Sequence, residues 1–201
     1  MSFVNFYALN VVVYSVLGVI VLLFILIIAF LIKNYNILVT LRNKVRNSWS
    51  QIDVQLKRRF DMIPNLVETV KGYAKHESGI FTAFAEARTM YTKSAQTGDV
   101  AQAAKAEQGL AGALSRLVMV QEQYPELKAN ENFKELMGQL KDTEDKISYS
   151  RQFYNDTVMK LNTKIEMFPT NIVAGMFGFK QEPFFQIEDA TQREAVKVNF
   201  S

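Results

Sequence analysis

The sequence predicts an all-α protein: a single N-terminal transmembrane helix, then an antiparallel four-helix up-down bundle with long helices, then a C-terminal extension. Three observations carry this reading. Residues 1–32 contain no Asp, Glu, Lys, Arg or His. From residue 38 to residue 168 apolar side chains recur three and four apart, the spacing of a helix with one buried stripe. Short turn-forming stretches divide that region into four segments, and helices joined by short turns pack as antiparallel neighbours.

The first element is the apolar run at residues 11–32, broken only by Tyr14, Ser15 and Gly18. At ~1.5 Å per residue it is roughly 30 Å long as a helix, enough to cross the hydrocarbon of a bilayer with every backbone amide satisfied internally. A cleaved signal peptide needs a positive start, a shorter apolar core and small residues at a cleavage site, whereas Ala29, Phe30, Leu31 and Ile32 lead straight into Lys33. An uncleaved anchor is therefore expected, with Val11, Val16, Ile20, Phe24, Ile28 and Ile32 facing lipid. No Cys follows the run, which excludes a lipoprotein anchor. Residues 1–10, a short extracytoplasmic tail, carry no Lys or Arg, while the other flank has Lys33, Arg42, Lys44 and Arg46. That asymmetry puts the N-terminus outside and the larger C-terminal part in the cytoplasm, at the inner face of the membrane.

The remainder is long enough for one domain with a real core, residues 33–168. With no Cys among 201 residues, disulfides, thiol nucleophiles and thiolate metal sites are all excluded. The pI near 9.0 does not argue for nucleic acid. Residues 33–60 hold seven basic side chains against the single acid Asp53, so the surplus is a basic juxtamembrane segment on an otherwise mildly acidic chain.

Leu38, Leu41, Val45, Trp49, Ile52, Leu56, Phe60 and Ile63 trace the stripe of the first bundle helix, which either continues from the membrane span or restarts after it. Pro64 cannot donate to the Phe60 carbonyl, so a kink or restart is expected there, with Leu66, Val67 and Val70 resuming the spacing. Ile80, Phe84, Ala87 and Tyr91 mark a second helix, ended by the turn at residues 97–99. Asp99 is an N-cap candidate for a third. That helix carries Val100, Ala103, Ala104, Leu110, Leu114, Leu117 and Val118, with Pro125 closing it, and Gly109 and Gly112 mark a close helix crossing. The fourth starts after the N-cap candidate Asn130 and runs through Leu140, Ile147, Tyr154, Val158 and Leu161 to Phe168, where Pro169 stops it.

Residues 169–201 are punctuated by Pro169, Gly175, Gly178 and Pro183, with one short amphipathic turn or two around residues 172–177. Phe177, Phe179, Phe184 and Phe185 are too many large apolar groups to leave in water, so this segment is expected to pack on the bundle, a partner or the membrane interface. Alternation of Val196, Val198 and Phe200 with polar residues favours a strand-like finish.

Chemistry-bearing patterns are sparse. His76 is the only histidine and reads as a solvated residue at a helix end; no Gly-x-Ser-x-Gly and no complete phosphate-binding glycine loop occurs. No catalytic, cofactor-binding or metal-binding residue is assigned, and no small-molecule substrate. Lys57, Arg58 and Arg59 stand too far along a continuous helix to feel lipid headgroups and read as a solvated face, with Arg59 turned to an acid in the bundle. Glu144 falls on the inward side of the fourth helix and Arg151 lies two turns on. Together with Asp53 and Arg59 they form a candidate structural charge network, of the kind that sets register between helices.

Several motifs together resemble one family: DVQLKRRFDMIPNLVETVKGY at residues 53–73, SRQFYND at 150–156, Phe168-Pro169, Phe177-Gly-Phe and the closing Val-x-Val-x-Phe. They are similar to the LemA family of bacterial membrane proteins over nearly the whole chain. The resemblance implies an N-terminal membrane helix followed by a cytoplasmic helical bundle, and it implies no established enzymatic activity. The expectation is a membrane-anchored, non-enzymatic scaffold that self-associates as a homo-oligomer. It would use the outer face of the long helix and Phe177, Phe179, Phe184 and Phe185; the alternative is an adaptor that holds another protein, such as a protease or its substrate. Lipid is the one partner expected besides protein, with no nucleic acid.

Overall fold

The computed structural model describes the backbone of residues 2–186 and the side chains of residues 14–186. Six helices account for nearly all of it: α1 Ser2–Tyr73, α2 Ser78–Thr97, α3 Val100–Gln121, α4 Pro125–Ala129, α5 Glu131–Glu166 and α6 Thr170–Met176. No strand occurs among the described residues. The expected strand-like finish at Val196, Val198 and Phe200 lies outside them, as does the Val11 side chain.

α1 is one element of 72 residues, so the first bundle helix continues from the apolar N-terminal segment. It also runs through Pro64, so of the kink or restart expected there the restart does not occur. Only one hydrogen bond is lost to the proline, and Phe60, Ile63, Leu66 and Val70 on either side are all buried, so packing holds the turn closed. The apolar part of α1 contains an 18-residue window of mean hydropathy 3.3 with none of it buried, so the helix is long and apolar enough to cross a membrane. Val16, Ile20, Phe24, Ile28 and Ile32 are all exposed there.

The chain divides into two compact units. The first comprises Met1–Lys44 and Lys160–Gln181. Its buried side chains are Leu38 on α1, Leu161 at the end of α5, then Thr170, Val173, Ala174 and Phe179. α6 ends in a Schellman-type cap: Gly178 adopts φ 68 and the Phe179 amide donates to the Ala174 carbonyl at 2.9 Å. Only glycine enters that left-handed conformation without steric cost, and the reversal turns Phe179 inward. The amphipathic turn expected around residues 172–177 is thus this short helix.

The second unit comprises Val45–Met159 and Glu182–Ser201. α1 contributes Ile52, Leu56, Phe60, Ile63 and Leu66 to its core, α2 Ile80, Phe84, Ala87 and Tyr91, α3 Ala103, Leu110, Leu114 and Leu117, and α5 Phe133, Leu140, Ile147, Tyr154 and Val158. α2 and α3 are joined through Gly98, at φ 68, and Asp99, whose carboxylate accepts from the amides of Ala101 at 2.9 Å and Gln102 at 3.0 Å. Asn130 caps α5 in the same manner, accepting from Phe133 N–H at 2.9 Å. Both caps were expected from the sequence. Pro125 instead opens a helix: it occupies the first turn of α4, where a missing N–H costs nothing, and α3 has already ended at Gln121. Of the two glycines on α3, only Gly109 faces a neighbour closely, since a Cβ there would lie 3.6 Å from that of Ala87. Gly112 faces open space.

Candidate functional site

The inward charges of the second unit meet in one cluster. Arg59 on α1, buried in the core, is ion-paired to Glu107 on α3 and to Glu144 on α5. Glu107 is 1 % exposed, whereas the Glu144 side chain is 45 % exposed. Burial lowers the Arg59 pKa from its ordinary value, and the charge and hydrogen bond of Glu144 oppose that shift. An arginine stays a cation under these conditions, so the cluster sets one cation against two carboxyl groups. It is also incompletely satisfied: Arg59 Nε and Glu107 Oε2 are buried without hydrogen-bond partners. Three helices are cross-linked by a group that would be costly to leave unpaired.

Arg59 and Glu144 are therefore together, as their spacing suggests. Asp53 is elsewhere: it accepts from the Tyr91 hydroxyl at 3.2 Å, and Tyr91 stacks on Phe60 with ring centroids 4.4 Å apart. Burial, and secondarily the Asp53 charge, raise the Tyr91 phenol well above its usual range. Arg151 is half-buried and is not a partner of Glu144. Two helical turns, roughly 10 Å, separate the two residues along α5, and the guanidinium from α1 reaches Glu144 first. Glu107 is the residue the sequence reading missed. It continues the stripe Ala103, Ala104, Leu110, Leu114 at the correct spacing, so the signal was its inward position in a helix otherwise lined by small and aliphatic residues.

A second assembly in the same unit is aromatic. Trp49 lies 5.7 Å from Tyr154 and 5.9 Å from Phe185 between ring centroids. The Tyr154 hydroxyl donates to the Pro183 carbonyl at 2.8 Å, and burial followed by the Glu182 charge raises its pKa to about 12. Alongside, α1 and α5 border an open groove that includes Val54, Gln55, Asp145, Lys146 and Tyr149.

In the first unit Thr170 donates its hydroxyl to Asn34 Oδ1 at 3.1 Å, and Tyr35 packs against Phe177 and Phe179 at 4.8 and 5.9 Å. The Arg42 guanidinium sits 5.0 Å over the Phe179 ring. Of the basic residues after the apolar segment, Arg42 is thus engaged with an aromatic face, while Lys33, Lys44 and Arg46 are exposed. Phe179 and Phe185 are buried in their own units, which removes them from the proposed contact surface, while Phe177 and Phe184 remain exposed. A large aromatic ring next to a helix cap or an open aromatic cleft is buried more favourably within the chain than held in water for a partner.

His76 is exposed in the turn between α1 and α2. Lys57 pairs with Asp61 at 2.6 Å on the exposed face of α1. Among the described residues no three His, Asp or Glu side chains form a group suited to a metal ion.

Comparison with known proteins agrees with the motifs. The model of the LemA family matches residues 48–200. The chain is 28% identical over 186 residues to Magnetosome protein MamQ 2 of Paramagnetospirillum magneticum, covering 81% of this chain and 68% of that one. It is 26% identical over 183 residues to Magnetosome protein MamQ of Magnetospirillum gryphiswaldense, with coverages of 80% and 67%. Protein LemA of Metamycoplasma hominis is 28% identical over 165 residues, with coverages of 80% and 71%.

Proposed function

Because the chain belongs to the LemA family, we propose that it is a membrane-anchored, non-enzymatic scaffold that self-associates at the inner face of the cytoplasmic membrane. The apolar part of α1 holds it in the bilayer with the N-terminus outside, an orientation supported by the basic flank at Lys33, Arg42, Lys44 and Arg46. Anchoring confines the molecules to a surface, so weak contacts suffice for assembly.

The observation that carries the proposal is a band of exposed apolar side chains on the second unit. Tyr149 and Phe153, one turn apart on α5, are 76 % and 51 % exposed, and Val54 on α1 is 59 % exposed. Val54 and Tyr149 border the α1/α5 groove, whose Asp142, Asp145 and Lys146 supply both signs of charge for a self-complementary contact. A cluster of this kind on a folded surface is the usual mark of protein association.

The test is the native mass of the full-length protein in mild detergent, by light scattering corrected for the micelle. A discrete multimer is expected. A monomer would refute the scaffold and direct attention to the adaptor reading.

A further inference from the structure

We propose that α6 and the residues flanking it, 167–177, form a second membrane contact that lies in the lipid interface beside the transmembrane part of α1. The inference rests on the membrane reading of α1 given above and concerns only the first unit.

Residues 167–179 are thirteen consecutive residues without charge, bounded by Glu166 and Lys180. Within them the inward and outward sides are clearly divided. Thr170, Val173 and Ala174 are buried against the unit, whereas Phe168, Ile172 and Met176 are 78 %, 53 % and 64 % exposed. Ile172 and Met176, spaced by four, line one side of α6, and Phe168 is exposed in the turn just before it. A helix exposed to water normally carries charged or polar groups on that side. Here the outer stripe is as apolar as the inner one.

Position identifies what covers it. Thr170 at the start of α6 is hydrogen-bonded to Asn34, and Asn34 is two residues, roughly 3 Å along the helix, past Ile32, the last residue of the charge-free N-terminal run. The first turn of α6 therefore sits at the level where the hydrocarbon ends. Tyr35, packed on Phe177, adds an aromatic ring at that same level, where tyrosines settle with one end apolar and the other wet. An uncharged element at this height, apolar on its outer side, sinks that side into the headgroup and acyl boundary, about 5–10 Å deep. Glu166 and Lys180, both exposed, return the chain to water on either side.

Absence of cysteine makes the test direct. Full-length variants Phe168→Cys, Ile172→Cys and Met176→Cys are spin-labelled and reconstituted into phosphatidylcholine/phosphatidylglycerol vesicles. Power saturation then compares access of oxygen, which concentrates in lipid, with access of a water-soluble nickel chelate. Phe24→Cys in the apolar segment and Lys105→Cys, exposed on α3 of the second unit, are the references, and matched circular dichroism confirms the fold of each variant. The expected oxygen-to-nickel ratio at all three positions is several-fold above that of Lys105→Cys. A ratio equal to the Lys105→Cys value overturns the proposal. So does an immobilised label shielded from both reagents, which would show α6 covered by protein. If Phe24→Cys itself gives a water-like ratio, the anchor reading fails as well, a result distinct from failure at α6 alone.

Discussion

Asn155 holds the backbone of Phe185 by both ends of its side-chain amide. The Phe185 N–H donates to Oδ1 at 2.9 Å, and Nδ2 donates to the Phe185 carbonyl at 3.1 Å. An extended segment with no strand partner thus has its donor and acceptor satisfied, while its ring is fully buried near Trp49. Asn155→Ala removes both bonds and is expected to cost about 2 kcal/mol at about 1 kcal/mol each. Asn155→Asp keeps the acceptor but sets a carboxylate oxygen against the Phe185 carbonyl, so it should cost at least as much. Guanidinium unfolding in detergent measures both costs.

The Arg59 cluster makes a sharper demand. Arg59→Met leaves Glu107 as a buried carboxylate with no cation and should destabilise by about 3–5 kcal/mol. Adding Glu107→Leu removes the stranded charge, and Glu144, already half in water, needs no replacement. The double variant should therefore recover most of the loss. If it is as unstable as the single variant, the pair contributes through packing and not through charge.

Tyr154 yields a pH dependence of defined sign. Its hydroxyl has a pKa near 12 in the folded chain, against about 10 when unfolded. Above pH 10 the unfolded chain loses this proton first, so the native state binds more protons and stability falls as pH rises from about 10 towards 12. Denaturation at pH 9 and pH 11 should show a larger drop for wild type than for Tyr154→Phe. An equal drop would mean the shift is absent.

Two glycines should respond in opposite directions. Gly112 has φ in the helical range and open space where a Cβ would go, so Gly112→Ala is expected to stabilise by about 0.5–1 kcal/mol. Gly98→Ala forces a side chain into φ 68 and should cost about 1–2 kcal/mol. Melting temperatures of the two variants check both.

The helical stripes and both N-caps were legible because they depend on local spacing: Leu56, Phe60 and Ile63, or Asp99 and its two amides, are determined within a few residues. At Pro64 a kink or a restart was expected; the helix does not restart, because the burial of Phe60, Ile63 and Leu66 outweighs the one lost hydrogen bond. The charge cluster was half legible. Arg59 and Glu144 stood out as inward charges, but Glu107 hid in an alanine-rich helix, and Arg151 was assigned by spacing on its own helix when the partner came from another. The tail shows the same limit. Phe179 and Phe185 are inward while Phe177 and Phe184 are outward, a choice made by the Gly178 reversal and the Asn155 clamp, neither of which periodicity can reveal. Deleting residues 169–201 would accordingly open both cores and not simply trim a contact surface.

The most direct test of self-association through the second unit compares the detergent-corrected mass of the wild type with that of Tyr149→Asp/Phe153→Asp. Both residues are exposed on α5, so the fold and its circular dichroism should be preserved. The expected result is a discrete wild-type multimer that falls to a monomer in the variant. A wild-type monomer, or a multimer unchanged by the two aspartates, would contradict the account.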